Sequence, residues 1–103
     1  MTDLQKLTNE ILDFRKKRGW TKGKQIAPKN TAIALLMEAA ELIELFAWTK
    51  NNKLPKNKRK EFEEEIIDIL YWILIIAHDN KIDIEKVFTR KMKKNKIKYP
   101  LSF

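Results

Sequence analysis

The most apolar stretches of this chain contain two pairs of carboxylates, and the two members of each pair are one helical turn apart. Glu38 and Glu41 form the first pair, and Glu65 and Asp68 form the second. Residues three apart on a helix occupy neighbouring positions on one face, so each pair places two carboxylates side by side. Buried carboxylates without partners are costly, whereas hard divalent cations prefer all-oxygen ligand sets. The spacing therefore favours a metal site for Mg²⁺, with Mn²⁺ as the other candidate.

Other roles for these acids remain open at this point. They could pair with lysines of neighbouring helices or face solvent, as most charged side chains do. A carboxylate-bridged di-iron site typically uses Glu-x-x-His, which neither pair contains. The one histidine, His78, lies off the acidic stripe, so we expect it in packing or at the surface. The proton acceptor of a hydrolysis could be Glu41, Glu44 or Glu64, and the sequence does not choose among them.

Three tryptophans are candidates for stacking on a nucleobase. Trp20 lies in a basic loop, Trp48 lies at the end of the first acidic segment, and Trp72 lies one turn past Asp68. Flat aromatic rings beside cations are typical of sites that bind bases. Each ring could equally belong to the core, most plainly Trp72.

The segment Arg90–Lys98 is strongly basic. On a helix, Lys91, Asn95 and Lys98 fall at i, i+4 and i+7 and could hold a polyphosphate. The chain has no glycine-rich phosphate loop, so side chains and metal would have to bind any nucleotide.

Composition limits the classes of protein that fit. The chain has 103 residues, 44% of them hydrophobic, a net charge of +8 and no cysteine, which excludes a disulfide framework and a thiolate nucleophile. Its longest uncharged stretch, Ile69–His78, is far too short to cross a bilayer. We expect one domain over residues 1–103, a soluble, cytoplasmic protein, and no membrane partner.

The hydrophobic spacing predicts helices and no strand. They cover roughly residues 4–18, 31–48, 58–79 and 84–95, with Asn30 or Thr31 capping the second and Asp83 the fourth. Four helices with short connections indicate an all-α, antiparallel, four-helix bundle-like fold.

The order of these motifs resembles the MazG-like, all-α nucleoside triphosphate pyrophosphatases, and most closely their dCTP pyrophosphatase-like branch. That branch has a Glu-x-x-Glu-Leu-x-Glu-x-Phe-x-Trp run, matched from Glu38 to Trp48, followed by a Glu-x-x-Asp pair. Its terminal Lys-Met-x-x-Asn-x-x-Lys-Tyr-Pro run is matched from Lys91 to Pro100, and Pro28–Asn30 is also similar.

The resemblance implies Mg²⁺-dependent hydrolysis between the α and β phosphates, which gives a nucleoside monophosphate and pyrophosphate in nucleotide-pool house-cleaning. It also implies a homodimer or homotetramer with the active site near the subunit interface. Trp72 stands where a Tyr is more usual, which points to a changed preference for sugar or base. The implied metal ligands are Glu38, Glu41, Glu65 and Asp68, and the implied substrate-binding residues are Trp20, Lys29, Asn30, Trp48, Lys91, Asn95 and Tyr99.

A different class of function would also use the positive charge. The basic segments could belong to a helical nucleic-acid-binding or regulatory module without catalysis. That hypothesis leaves residues 61–79, which carry six acids and no Lys or Arg, without a role. We therefore expect a nucleoside triphosphate rather than a nucleic acid as the partner.

Overall fold

The computed structural model describes residues 1–47 and 49–102, and within this part of the chain every regular element is helical. This confirms the all-α class and the four predicted helices. Short 3₁₀ turns over Gly23–Gln25 and Lys56–Lys58 precede the second and third helices. The four helices are α1, Asp3–Lys17; α2, Pro28–Glu44; α3, Arg59–Asp79; and α4, Ile84–Lys98.

The start of α2 differs from the prediction. Pro28 is the first helical residue and Ala27 is the N-cap, with no side-chain hydrogen bond to the helix. Proline suits this position because its fixed φ matches the helix and its missing N–H would have no partner there. Asn30 and Thr31 therefore lie inside the first turn, where the Thr31 hydroxyl donates to the Pro28 carbonyl at 3.0 Å.

The end of α2 also differs, because the helix stops at Glu44 rather than near Trp48. The N–H groups of Leu45 and Phe46 donate to carbonyls three residues back, Leu42 and Ile43, at 3.3 and 3.0 Å. Such tight turns satisfy the last carbonyls of a helix without extending it.

The fourth helix begins where the sequence indicated. The Asp83 carboxylate accepts from the Lys86 N–H at 3.1 Å, which confirms the predicted cap. The helix then continues to Lys98, about one turn beyond the predicted end at Asn95.

The core is small and is centred on α3. Its buried hydrophobic residues are Leu74, Ile75 and Ala77, and the closest helix pairs are α2 with α3 and α1 with α3. The radius of gyration is 16.8 Å, against about 13 Å for a compact chain of this length. None of the helices in the described residues is long and apolar enough to span a membrane.

Much apolar surface is left exposed. Helix α4 contributes no buried residue. Helix α2 carries a group of exposed apolar side chains, here called the α2 outer stripe. Exposed apolar patches of this kind usually mark a contact surface. The stripe consists of Ile33, Leu36, Met37 and Ile43.

Candidate metal centre

The packing of α2 against α3 brings three of the four predicted ligands together. Glu38, Glu65 and Asp68 each offer a carboxylate oxygen within 4.8 Å of the others, and these residues form the carboxylate cluster. Glu38 and Glu65 are half-buried at the helix interface, whereas Asp68 reaches solvent. The convergence follows from the i, i+3 spacing on each helix and the direct contact between the two helices.

Glu41, the fourth predicted ligand, lies beside the cluster and is exposed. Its negative charge contributes to raising the pKa of both Glu38 and Glu65. Glu41 is therefore close enough to act on the cluster and is open to solvent at the same time.

The cluster holds its carboxyl groups in an unfavourable environment for negative charge. The pKa of Glu65 is raised to about 7. Burial is the largest cause, and hydrogen bonds and repulsion involving Glu38 and Glu41 contribute the rest. Burial also raises the pKa of Glu38, while its hydrogen bond with Glu65 acts in the opposite direction. In the absence of a cation, a proton on Glu65 therefore relieves the repulsion near neutral pH.

Two oxygens of the cluster lack partners among the described residues. The Glu38 Oε2 and Glu65 Oε2 atoms are buried and accept no hydrogen bond. No ion pair within residues 1–47 and 49–102 includes a member of the cluster. Orphaned buried acceptors in an all-oxygen set are what a hard divalent cation would satisfy, so these residues fit such an ion.

A cavity of about 630 Å³ adjoins the cluster. Its lining includes Glu41 and Glu44 from α2, Glu61 and Glu65 from α3, and Lys58 from the turn before α3. The volume lies in the range of small-molecule sites. We call this cavity the acidic pocket, and an anionic ligand could enter it only with cations.

The predicted base-stacking residues have different surroundings. Trp20 is 41% exposed, and its ring meets Phe14 edge-on at a centroid distance of 5.9 Å. Trp72 is half-buried and meets the Tyr71 ring edge-on at 5.1 Å. Trp48 lies outside the described residues.

Lys29 and Asn30 lie exposed in the first turn of α2. The Asn30 amide donates to the Lys24 carbonyl at 3.2 Å, so it closes the preceding loop. His78 is exposed, as expected for a residue off the acidic stripe.

The α4 residues do not join the acidic pocket of their own chain, whose lining comes from α2, α3 and the segment between them. Lys91 instead borders an apolar groove with Leu35 and Ile73. The Lys98 ammonium lies 5.3 Å from the centre of the exposed Tyr99 ring, and Asn95 is half-buried.

Sequence reasoning missed Arg15, which was not among the predicted site residues. The side chain is 3% exposed and its guanidinium carbon lies 5.6 Å from the centre of the Trp72 ring. One feature of the sequence could have indicated this burial. Arg15 follows Ile11 by four residues and therefore lies on the apolar face of α1.

The profile of the family described as dUTPase matches residues 1–101. The chain is 29% identical over 106 residues to dCTP pyrophosphatase 1 of Mus musculus, covering 98% of this chain and 59% of that protein. It is 30% identical over 105 residues to dCTP pyrophosphatase 1 of Homo sapiens, covering 97% and 59%. The chain thus spans about 59% of the length of these relatives.

Among solved structures, the chain is similar to the crystal structure of a pyrophosphatase from Archaeoglobus fulgidus. The TM-score is 0.88 and the sequence identity is 34%. The match covers 98% of this chain and 95% of that one.

Proposed function

Because the chain belongs to the family described as dUTPase, in the dCTP pyrophosphatase-like branch of MazG-like proteins, we propose that it is a nucleoside triphosphate pyrophosphohydrolase. Water hydrolyses the anhydride bond between the α and β phosphates. The products are a nucleoside monophosphate, preferably a deoxynucleotide, and pyrophosphate. The observation that carries the proposal is the carboxylate cluster, with its two buried oxygens that lack partners.

We assign the metal site to Glu38, Glu65 and Asp68, with Glu41 as the fourth carboxylate, and Mg²⁺ as the ion. Bound Mg²⁺ would neutralise triphosphate charge and lower the pKa of a bound water. The residues of the chain supply the geometry for this. Glu65 would have to be ionised to hold the cation, and the packing of α2 on α3 keeps an oxygen of each cluster residue within 4.8 Å of the others.

The proton of the attacking water needs an acceptor near the phosphates. Of the three candidates, Glu41 and Glu44 line the acidic pocket. Glu64 lines a different, open surface depression, which it shares with Asp68 of the carboxylate cluster. All three candidates for the general base therefore border a member of the cluster, Glu41 and Glu44 on the side of the acidic pocket and Glu64 on the side of the open depression.

The nucleoside and phosphate groups require the remaining predicted residues. Trp20 and Trp72, together with Trp48, are assigned to the base and sugar, and Lys29 and Asn30 to the mouth of the site. The cations of α4, with Asn95 and Tyr99, are assigned to the phosphates. These α4 residues lie outside the acidic pocket of their own chain, so we assign them to the pocket of a second copy.

A homodimer or a dimer of dimers would also account for the exposed apolar surface. A core with three buried hydrophobic residues among residues 1–47 and 49–102 is small for a domain of this length. The α2 outer stripe offers apolar side chains that a copy of the same chain could cover.

The test uses the purified chain with canonical and modified nucleoside triphosphates, with pyrophosphate release as the measurement. We expect turnover of at least one triphosphate with Mg²⁺ or Mn²⁺ and none with a chelator. Asp68→Asn should reduce turnover by about a hundredfold or more, since it removes a metal ligand. The control is Glu63→Gln, which alters an exposed carboxylate of α3 paired with Arg59.

The competing nucleic-acid hypothesis predicts a different result. Oligonucleotide binding would need no divalent ion and would weaken steeply with salt. Such binding without pyrophosphate release would reject the proposed function, whereas full turnover by Asp68→Asn would reject the assignment of Asp68 to the metal site.

A further inference from the structure

Arg15 is a buried cation on α1 whose hydrogen-bond partners are neutral. Its Nη1 donates to the Tyr71 hydroxyl at 3.3 Å and its Nη2 donates to the Gln25 carbonyl at 2.9 Å. Burying a guanidinium is costly unless its donors are satisfied, and neutral acceptors compensate less than a carboxylate does. A cation retained under these conditions is a candidate for a specific positioning role.

Arg15 holds the loop between α1 and α2 near both of its ends. Its own carbonyl accepts the Trp20 N–H at 3.0 Å, and its guanidinium binds the Gln25 carbonyl. Between these points the backbone of Gly23 has a φ of 66°, a conformation open to glycine and rarely to other residues. The Arg15 backbone thus holds the first end of the loop that carries Trp20, and the Arg15 guanidinium holds the second end next to the hydrogen bond from Asn30 to Lys24.

The same guanidinium also contacts α3 through Tyr71 and Trp72. It lies 5.6 Å from the centre of the Trp72 ring, which the Tyr71 ring supports from the side. Trp72 follows Asp68 by one helical turn, on the same face of α3. The Arg15 guanidinium therefore joins the loop that carries Trp20 to the Trp72 ring of α3, the helix that carries half of the predicted ligands.

We propose that Arg15 is a positioning residue that fixes the Trp20 loop and the Trp72 ring relative to the carboxylate cluster, so that the nucleoside part of the triphosphate binds between the loop and α3. The inference rests on the proposed function and deepens it. Arg15 should govern nucleotide affinity and discrimination between bases, while leaving metal binding unchanged, because it contacts no member of the cluster.

The experiment compares Arg15→Met, Arg15→Lys and Tyr71→Phe with the wild-type chain. Arg15→Met keeps the apolar stem and removes every donor, whereas Arg15→Lys keeps the charge and loses the planar fork. Tyr71→Phe removes one acceptor and keeps the ring, and it serves if the Arg15 variants do not fold. The control is Arg59→Met, since Arg59 also lies near an aromatic ring, Phe62, but is exposed.

Three quantities are measured. Hydrogen exchange over residues 19–27 reports the loop, KM and kcat report nucleotide binding and chemistry, and the dissociation constant of Mn²⁺ alone reports the metal site. For Arg15→Met we expect faster exchange in the loop and KM raised about tenfold, from the loss of two charge-assisted hydrogen bonds. We expect the KM of Arg15→Lys to lie between those of the wild type and Arg15→Met. Tyr71→Phe should raise KM by about two- to threefold.

The outcomes separate this inference from the proposed function. Unchanged exchange over residues 19–27 in Arg15→Met would overturn the positioning role, and faster exchange with unchanged KM would overturn its link to the nucleotide. Weaker Mn²⁺ binding would show that Arg15 acts on the metal site instead. If the wild-type chain hydrolyses no triphosphate, the proposed function and the nucleotide part of this inference both fail, and hydrogen exchange still decides the loop part.

Discussion

The α2–α3 interface and helix α4 place their charged side chains in opposite environments. At the interface, acids from two helices converge within 4.8 Å, and one oxygen each of Glu38 and Glu65 is buried without a partner among the described residues. Helix α4 presents its cations on a surface with no buried residue. The proposed function accordingly assigns the metal centre to a single chain and the cations of α4 to the acidic pocket of a second copy.

The largest effect should come from removing a buried charge at the interface. We expect Glu65→Gln to reduce turnover by about a thousandfold and to abolish tight Mn²⁺ binding. Without metal, the same variant should melt at a higher temperature than the wild type at pH 8, because the amide needs no proton to be neutral. Turnover assays and thermal melts of Glu65→Gln and Glu63→Gln make the comparison.

If Glu65→Gln bound Mn²⁺ as tightly as the wild type, the convergence of acids on α2 and α3 would have no role in metal binding. A lower melting temperature without metal at pH 8 would show that the Glu65 carboxylate is compensated in another way.

The second effect concerns assembly. We expect Leu36→Glu to weaken association of the chains by about a hundredfold, since it places a charge in the α2 outer stripe. Sedimentation at several concentrations measures the change. The control is Lys60→Glu, which changes charge at an exposed position on α3. A monomeric wild-type chain, or equal association by both variants, would rule out the stripe as a contact surface.

The third effect decides whether α4 acts on the second copy. We expect the double variant Lys91→Ala, Lys98→Ala to lose about tenfold in activity, and Glu38→Gln to be inactive. In an equal mixture of re-assembled dimers, about a quarter of the sites would combine intact carboxylates with intact cations.

Recovered activity in that mixture is the expected result, and it is measured as pyrophosphate release before and after subunit exchange. If the mixture gives no more than the sum of its separate components, α4 serves its own chain and the contrast with the interface disappears.

The smallest effect is on stability as a function of pH. The pKa of Glu65 is raised from 4.5 to about 7 by burial and by its neighbours. A raised carboxyl pKa means that the folded state binds the proton more tightly, so stability is greatest below pH 4.5 as far as this group is concerned. It then declines as the pH rises to about 7. Thermal melts without metal should therefore show a lower Tm at pH 7.5 than at pH 5.

Saturating Mg²⁺ should reduce or reverse this decline, because the cation replaces the proton. A Tm without metal that is independent of pH in this range would contradict the raised pKa. The Glu65→Gln variant is the matched control, since its side chain does not titrate.

The sequence predicted the helices where local chemistry decided the outcome. Asp83 caps α4 as expected because its carboxylate reaches a backbone N–H three residues on. The prediction was wrong at the start of α2. Asn and Thr are residue types that often cap helices, but α2 already begins at Pro28, before Asn30 and Thr31. Two local rules competed there, and the fixed φ of proline prevailed.

For the candidate site, the spacing predicted that Glu38 and Glu41 share a face of one helix and that Glu65 and Asp68 share a face of another. The spacing carries this information because a helix repeats every 3.6 residues, so side chains of one face can be identified without the fold. The burial of Arg15 was not predictable in the same way, since its partners Tyr71 and Gln25 come from distant parts of the chain.

The order of residues by itself thus determined the all-α class, the helical faces that bear the acids, and the positive charge of α4. Only the tertiary structure decided that α2 and α3 meet along those acidic faces, that Arg15 is enclosed by a loop and two aromatic rings, and that α4 stays apart. The physical reason is the range of the interactions. Caps and helical periodicity act over three or four residues, whereas helix packing depends on the whole apolar surface.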